Sequence, residues 1–155
     1  MPDSPAPAFR DATAADLPDV VRLILADSLS SDWESGADEL GPRRALEAIE
    51  ADANNRLIVA EQDGAIVGTF QLTYIPTLTL RGGWIAQIEN VRVDSSIRSQ
   101  GLGQQMIEWA IDRAREHGCT LFQLSSNNAR ERAHAFYKRL GFKQSHTGFK
   151  LGLHP

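Results

Sequence analysis

The sequence predicts an α/β fold, a mixed and mostly antiparallel sheet with helices on both faces. Three observations carry that expectation. Two stretches of helical periodicity precede residue 56, three strand-like runs separated by turn signals fill 57–93, and helix and strand alternate from Gly101 onward. The implied order is β-α-α-β-β-β-α-β-α-β-β, with the opening strand ahead of Thr13. A chain of 155 residues suits one domain with a single core. That domain is expected over 9–155, behind a short disordered lead over 1–8.

Thr13 and Asp16 have capping-box spacing, and Leu17, Val20, Val21 and Ile24 follow at helical spacing. Pro18 is tolerable because it lies in the first turn. Residues 28–42 are polar, punctuated by Gly36 and Gly41, and read as a loop or broken helix. Leu46, Ile49 and Ala53 mark a second amphipathic helix, ending near Asn54. Leu57 to Ala60 is a short apolar run, and Asp63-Gly64 is a hairpin turn signal. Ile66–Ile75 and Trp84–Val93 have strand composition, with a turn at Arg81-Gly82-Gly83 between them. Gly101 opens a helix bearing Ile107, Ala110, Ile111 and Ala114, and Gly118 caps its end. Leu121–Leu124 reads as a buried strand. Asn128 and Glu131 have capping-box spacing for a last helix with Ala133, Phe136, Tyr137 and Leu140. Phe142 to Leu151 is expected to close the sheet as a strand pair around Gly148.

The charge pattern excludes several functions. The chain carries 16 Lys+Arg against 20 Asp+Glu, a net −4, which is wrong for a general nucleic-acid binder. Residues 1–63 sum to −9 and residues 64–155 to +5, which suggests two surfaces with opposite preferences. No apolar run reaches the length of about 18 residues needed to span a bilayer. The N-terminus lacks the basic and apolar regions of a secretory signal. The single Cys119 rules out an internal disulfide and fits a reducing cytoplasm. The four histidines show no ligand spacing, so no metal is expected.

The junction that carries chemistry joins Glu89–Val93 to Arg98-Ser99-Gln100-Gly101-Leu102-Gly103. Two glycines at a helix start, behind an apolar strand, offer free backbone N–H groups, the helix dipole and the Arg98 guanidinium to a pyrophosphate. Alone the pattern is also met in bare turns. A dinucleotide fingerprint would need a small residue at Met106 and an acid at the end of the next strand; Glu116 and Glu131 lie on expected helices. An NAD site is not expected. Cys119 reads as buried filler and not as a nucleophile.

Together, the Val91–Val93 strand, Arg98-x-x-Gly101-x-Gly103 and the run from Ala133 through Phe136-Tyr137 to Gly141-Phe142 resemble the GNAT superfamily of acetyl-CoA-dependent N-acyltransferases. The likeness runs from about residue 9 to 152. It implies that the strand ending at Val93 splays from the next at a bulge. Acetyl-CoA would bond there to Val91, Arg92 and Val93, with its pyrophosphate on Arg98, Ser99, Gln100, Gly101, Leu102, Gly103 and Gln104. It adds Asn127, Arg130, Ala133 and Phe136 to the cofactor's surroundings, with Arg130 standing where many members have Asn. Tyr137 matches the acid that protonates the departing thiolate; on spacing alone it is equally a core aromatic. Glu89 matches a strand carboxylate used as general base, and its plain alternative is an exposed or ion-paired strand residue.

Asp27, Asp32 and Trp33 belong to an acidic loop that would suit a small cationic amine by charge and cation–π contact, or would merely be solvated. The expected partner is therefore a small-molecule amine, attacked directly in a ternary complex. An acyl-CoA sensor without turnover, and a protein lysine or N-terminus acetyltransferase, are the alternatives. The resemblance also allows a homodimer.

Overall fold

A computed structural model describes residues 4–27 and 40–153. The chain divides into two compact units, 1–123 and 124–155. The first unit holds β1 (Ala8–Asp11), α1 (Leu17–Ala26), α2 (Leu40–Glu50), β2 (Asn55–Gln62), β3 (Ala65–Pro76), β4 (Trp84–Val93), α3 (Leu102–Glu116) and β5 (Cys119–Gln123). The second holds α4 (Glu131–Arg139). The strands lie in sequence order, β1-β2-β3-β4-β5, all antiparallel except β4 with β5. A parallel pair needs a crossover, and α3 supplies it. The α/β class and the mixed, mostly antiparallel sheet match the sequence expectation.

Local signals explain the first elements. The Thr13 N–H donates to the Asp16 carboxylate at 2.7 Å, closing the turn that starts α1. Arg10 grips both oxygens of the same carboxylate, at 2.7 and 2.9 Å. Asp63 and Gly64 both take positive φ, 52° and 78°, as a tight hairpin between twisted strands requires.

Alternation along β3 places helices on both faces of the sheet. Phe70 meets Trp109 of α3 edge-on at 6.0 Å, and Tyr74 stacks on His117 at 3.9 Å. Thr69 and Gln71, one residue out of phase, face α1 and α2 instead. Ile58, Phe70, Leu72, Ile88, Met106 and Ile107 are sealed from solvent and form the centre. Gly68 is required here, since a Cβ on it would lie 3.0 Å from the Met106 sulfur and 3.3 Å from the Arg92 carbonyl oxygen. Among the described residues no helix is long and apolar enough to cross a membrane.

Three expectations are corrected. The strand expected to be buried at 121–124 is β5, none of whose residues is fully buried, with Leu121 exposed. Residues 142–153 form no strand, so the closing strand pair is absent among the described residues. Phe149, Leu151 and Leu153 are almost fully exposed, and two short strands alone do not hold together in water without a third or a packed face. The last helix begins at Glu131 and not directly after Asn128, because Asn127 makes its own turn, its side-chain oxygen accepting the Ala129 N–H at 2.9 Å.

The Arg10–Asp16 contact gives the first unit an acid-sensitive link. Hydrogen bonds from Arg10 hold the Asp16 carboxyl at about 2, below its ordinary 3.8. A depressed carboxyl stabilises the fold above the unfolded value and loses that contribution as pH falls through the folded one. For Asp16 the window is from about pH 4 to about pH 2, and the full contribution is at most about 2 kcal/mol. Asp16→Asn is expected to lose about 1–2 kcal/mol at neutral pH and to show a flatter acid limb in urea unfolding measured across that window.

Candidate active site

The site is built on a defect in β4. Its pairing with β3 runs Gln71 to Glu89 and then Thr69 to Arg92, so Phe70 alone faces both Asn90 and Val91. Asn90 adopts φ 53°, outside the extended range. The parallel ladder to β5 ends at Gln87 with Gln123, and β4 continues to Val93 with β3 as its only ladder partner among the described residues. The bulge that the resemblance implied is therefore present in β4.

Glu89 sits one residue before the bulge, exposed, on the sheet face it shares with Gln71 toward α1 and α2. Gln123 donates from Nε2 to Gln87 Oε1 at 2.8 Å, and Gln87 donates from Nε2 to Glu89 Oε1. Gln123 thus holds Gln87, and Gln87 holds one oxygen of Glu89. Beside it, α1, α2 and the sheet enclose a recess of about 260 Å³. Val21, Leu25, Ala45 and Ile49 contribute apolar walls, and Thr69, Gln71 and Asn90 contribute polar groups.

The glycine loop follows. Asp94 caps the turn after β4, accepting from the Ser96 N–H at 2.9 Å, the Ser96 hydroxyl at 2.7 Å and Arg22 Nη1 at 2.9 Å. These donors, the Ser96 hydroxyl foremost, hold its carboxyl at about 2. Ser99 and Gly101 then take φ 64° and 87°. Leu102 starts α3 with its side chain buried, so its backbone N–H alone is free to serve a ligand. The first α-helical bond runs from Gln105 N–H to the Gly101 carbonyl, which leaves the N–H groups of Leu102, Gly103 and Gln104 ahead of it. Arg98 is exposed, with Nε 3.5 Å from the Val93 carbonyl and Nη2 4.0 Å from Asp27. The Gln104 side chain donates to Glu108 at 2.8 Å. Arg92 Nη1 donates to the Val91 carbonyl at 3.1 Å. Gln100 is exposed.

In the second unit, α4 carries Ala133, Phe136 and Tyr137, all half-buried. The Tyr137 ring meets Phe136 at 5.2 Å and Phe142 at 5.7 Å, both edge-on. Arg130 precedes the helix and Asn127 the turn before it. Burial pushes the Cys119 thiol up, away from the reactive thiolate. Asp32 and Trp33 lie outside the described residues.

Residues 21–142 match the Acetyltransferase (GNAT) family. The chain belongs to that family. It is 33% identical, over 94% of its length and 90% of the relative's, to the aminoalkylphosphonate N-acetyltransferase of Salmonella typhimurium. It is 36% identical to the glucosamine 6-phosphate N-acetyltransferase of Trypanosoma brucei brucei, over 58% of this chain and 59% of that one. A crystal structure of a transcriptional regulator from Bacillus halodurans superposes with a TM-score of 0.88 at 41% identity, covering 95% of this chain and 99% of that one. This acetyltransferase is accordingly an N-acetyltransferase, and acetyl-CoA is the acyl donor of the family. Its own residues fit that donor. The left-handed Ser99 and Gly101, three free N–H groups and an exposed guanidinium make a concave cationic loop.

Sequence reasoning did not single out four residues that the structure places around Glu89 and the glycine loop: Gln87, Asn90, Asp94 and Gln123. Gln87 was within reach, because it lies two residues from Glu89 on the same strand face. Gln123 depends on the parallel register, Asn90 on the bulge, and Asp94 on a partner 72 residues away. Asp94→Ala is expected to raise KM for acetyl-CoA about tenfold, corresponding to about 1.4 kcal/mol, with kcat changed less; steady-state kinetics with varied acetyl-CoA reads the split.

Proposed function

We propose that this acetyltransferase moves the acetyl group of acetyl-CoA to the amino group of a small molecule by direct attack. Glu89 serves as general base through a water and Tyr137 as general acid. The observation that carries the reading is Glu89 itself, exposed, held by an amide relay, and placed between Gln71 and Asn90, which line the α1–α2 recess.

An alkylammonium, with a pKa near 10.4, cannot attack until it loses a proton. Glu89 takes that proton. The nitrogen then bonds to the thioester carbon and the carbon–sulfur bond breaks; the Tyr137 phenol gives its proton to the sulfur and is restored by the second proton that the nitrogen sheds as it becomes an amide. A phenol titrates near 10 in model peptides, which suits it to donate at neutral pH. Acetyl-CoA supplies the activated acyl group. The backbone of Val91 and Val93 and the loop from Arg98 to Gln104 would hold it, with Arg92, Asn127, Arg130, Ala133 and Phe136 as the remaining contacts that the family resemblance implies.

The acceptor follows from charge and shape. Arg10, Arg22 and Arg56 are already counted in the −9 of residues 1–63, and Arg98 offsets one further acid, Asp27, so the acidic half stays negative and suits the ammonium end of an acceptor. Two relatives act on amines that carry a phosphonate or a phosphate, as their names state. The apolar walls of the recess suit a short alkyl body better than a polyhydroxy one. The acceptor we favour is an aminoalkyl compound bearing an oxyanion. A homodimer formed through the exposed Phe149, Leu151 and Leu153 is supported by their near-complete exposure.

A second reading, an acyl-CoA-sensing regulatory domain, is favoured by one observation, the transcriptional regulator of B. halodurans among the structural neighbours.

Two measurements test these roles. Tyr137→Phe is expected to lower kcat about 10²- to 10³-fold with acetyl-CoA binding retained, and Glu89→Gln to lower kcat/KM about 10²-fold. The activity left in Glu89→Gln should rise with pH toward the acceptor's own pKa, since the amine must then lose its proton unaided. Initial rates with an aminoalkylphosphonate, glucosamine 6-phosphate, a polyamine and an amino acid should rank the first highest. Turnover confined to the polyamine would restore the cationic acceptor suggested by the acidic loop. No turnover of any amine in the parent protein would support the sensor.

A further inference from the structure

At the opposite end of α3 from the glycine loop lies a second recess, of about 300 Å³, lined by Ala53, Arg56, Tyr74, Arg113, Glu116 and His117. It belongs to the first unit and shares nothing with the site described above. The 15 residues of α3 separate it from Gly101 by about 20 Å. Tyr74 faces α3 across the sheet from Glu89, and Trp84, which meets the His117 ring, begins β4 about 17 Å before Glu89.

The recess is made of rigid cations and aromatic rings. The guanidinium carbons of Arg56 and Arg113 stand 5.5 and 5.0 Å from the centroid of the same ring, Trp109, and are therefore at most 10.5 Å apart. A tetrahedral or dicarboxylate anion between two such groups can bond to both. The His117 ring is clamped, stacked on Tyr74 at 3.9 Å and 7° and met edge-on by Trp84 at 5.0 Å. Nε of Arg113 is buried and makes no hydrogen bond.

Two carboxylates now touch the arginines. Asp11 takes two donors of Arg56, both at 2.9 Å, and Glu116 takes one donor of Arg113, at 2.6 Å. The carboxylate side chains are the exposed partners, 63% and 64% accessible, against 29% and 30% for the arginines. The guanidiniums are fixed by the fold, while the acids sit on the rim and can rotate into water. Each guanidinium has five donors, so the rim acids leave several unused. The negative end of α3 and the two rim carboxylates oppose an anion here, so the recess is cationic once Glu116 turns away into water.

We infer that this recess is a binding site for a small divalent oxyanion, a phosphate or a dicarboxylate, held between Arg56 and Arg113 with Glu116 displaced. It is separate from the acetyl-transfer site and does not rest on the acceptor assigned there.

The test is a titration of the full-length chain, ¹⁵N-labelled at arginine, with inorganic phosphate and, separately, succinate, at constant ionic strength. The Arg113 Nε–Hε signal should move and saturate, and the Arg98 signal reports the glycine loop independently. Saturable movement with both anions, or with one alone, supports the site, and the second case identifies the class. Arg113→Lys, which keeps the charge and loses the fork, should weaken binding at least about tenfold. Arg56→Gln should do the same, read on the intact Arg113 signal. A melt by circular dichroism confirms that each variant is folded; if Arg113→Lys is not, Arg56→Gln decides. An Arg113 signal that moves no more than with matched sodium chloride, or affinity unchanged in a folded variant, overturns the inference.

Discussion

One extra residue in β4 sets the geometry of the acetyl-transfer half. Glu89 and Asn90 are consecutive, yet both belong to the face of the sheet that meets α1 and α2. In a regular strand the second would point to the other face. Beyond the bulge the alternation is shifted, so that Arg92, opposite Thr69, lies on the α1–α2 face and Val93, opposite Gly68, on the face of α3. The bulge also bends the strand. With β5 paired to β4 only as far as Gln87, the backbone groups along the outer edge of the following residues have no ladder to β5. Buried backbone groups need partners, and an extended ligand with amide groups can supply them. The same defect therefore sets which face carries Glu89 and which backbone edge stays open, the two features on which the proposed mechanism draws.

The arginines of the first unit distribute the charge of its N-terminal half without cancelling it. Residues 1–63 sum to −9 with their five arginines already counted; of these, Arg10 binds Asp16 and Glu61, Arg56 binds Asp11, and Arg22 binds Asp19 and Asp94. Most of these pairs are partly exposed and individually weak. Their larger effect is positional. Arg10 joins the α1 cap to β2, and Arg22 joins α1 to the turn that leads into the glycine loop. The turn before the glycine loop is thus tied to a helix that walls the α1–α2 recess.

What the sequence revealed and concealed divides by distance along the chain. The Thr13–Asp16 cap, the Asp63-Gly64 turn and the left-handed Gly101 are local, and each was legible because a few adjacent residues decide it. The strands 57–93 were legible from composition and turns. The Gln123–Gln87–Glu89 relay was not, since it depends on which residue of β5 falls beside Gln87. The closing strands failed for a related reason. Alternating apolar residues at Phe149, Leu151 and Leu153 satisfy the pattern of a strand, but a strand needs a partner edge as well as a pattern. Asn128 failed as a cap because Asn127, equally suited, took the turn first.

Non-glycine residues with positive φ occur at Asp63, Leu80, Arg81, Asn90 and Ser99. The first three lie at the reversals between strands, where the change of chain direction demands such a conformation. Asn90 and Ser99 have no reversal to make, and each such residue costs on the order of 1 kcal/mol. Asn90 is held because the ladder is intact on both sides of it, at Gln71 with Glu89 and at Thr69 with Arg92. It cannot relax without shifting one register by a residue. Such a slip would return Arg92 and Val93 to the opposite faces. Gly68 would then have to accommodate a different neighbour, although there is already no room for a Cβ beside Met106. The strain at the site is therefore maintained by packing in the core beneath it. Gly68 against Met106 is one contact through which the core constrains the bulged strand.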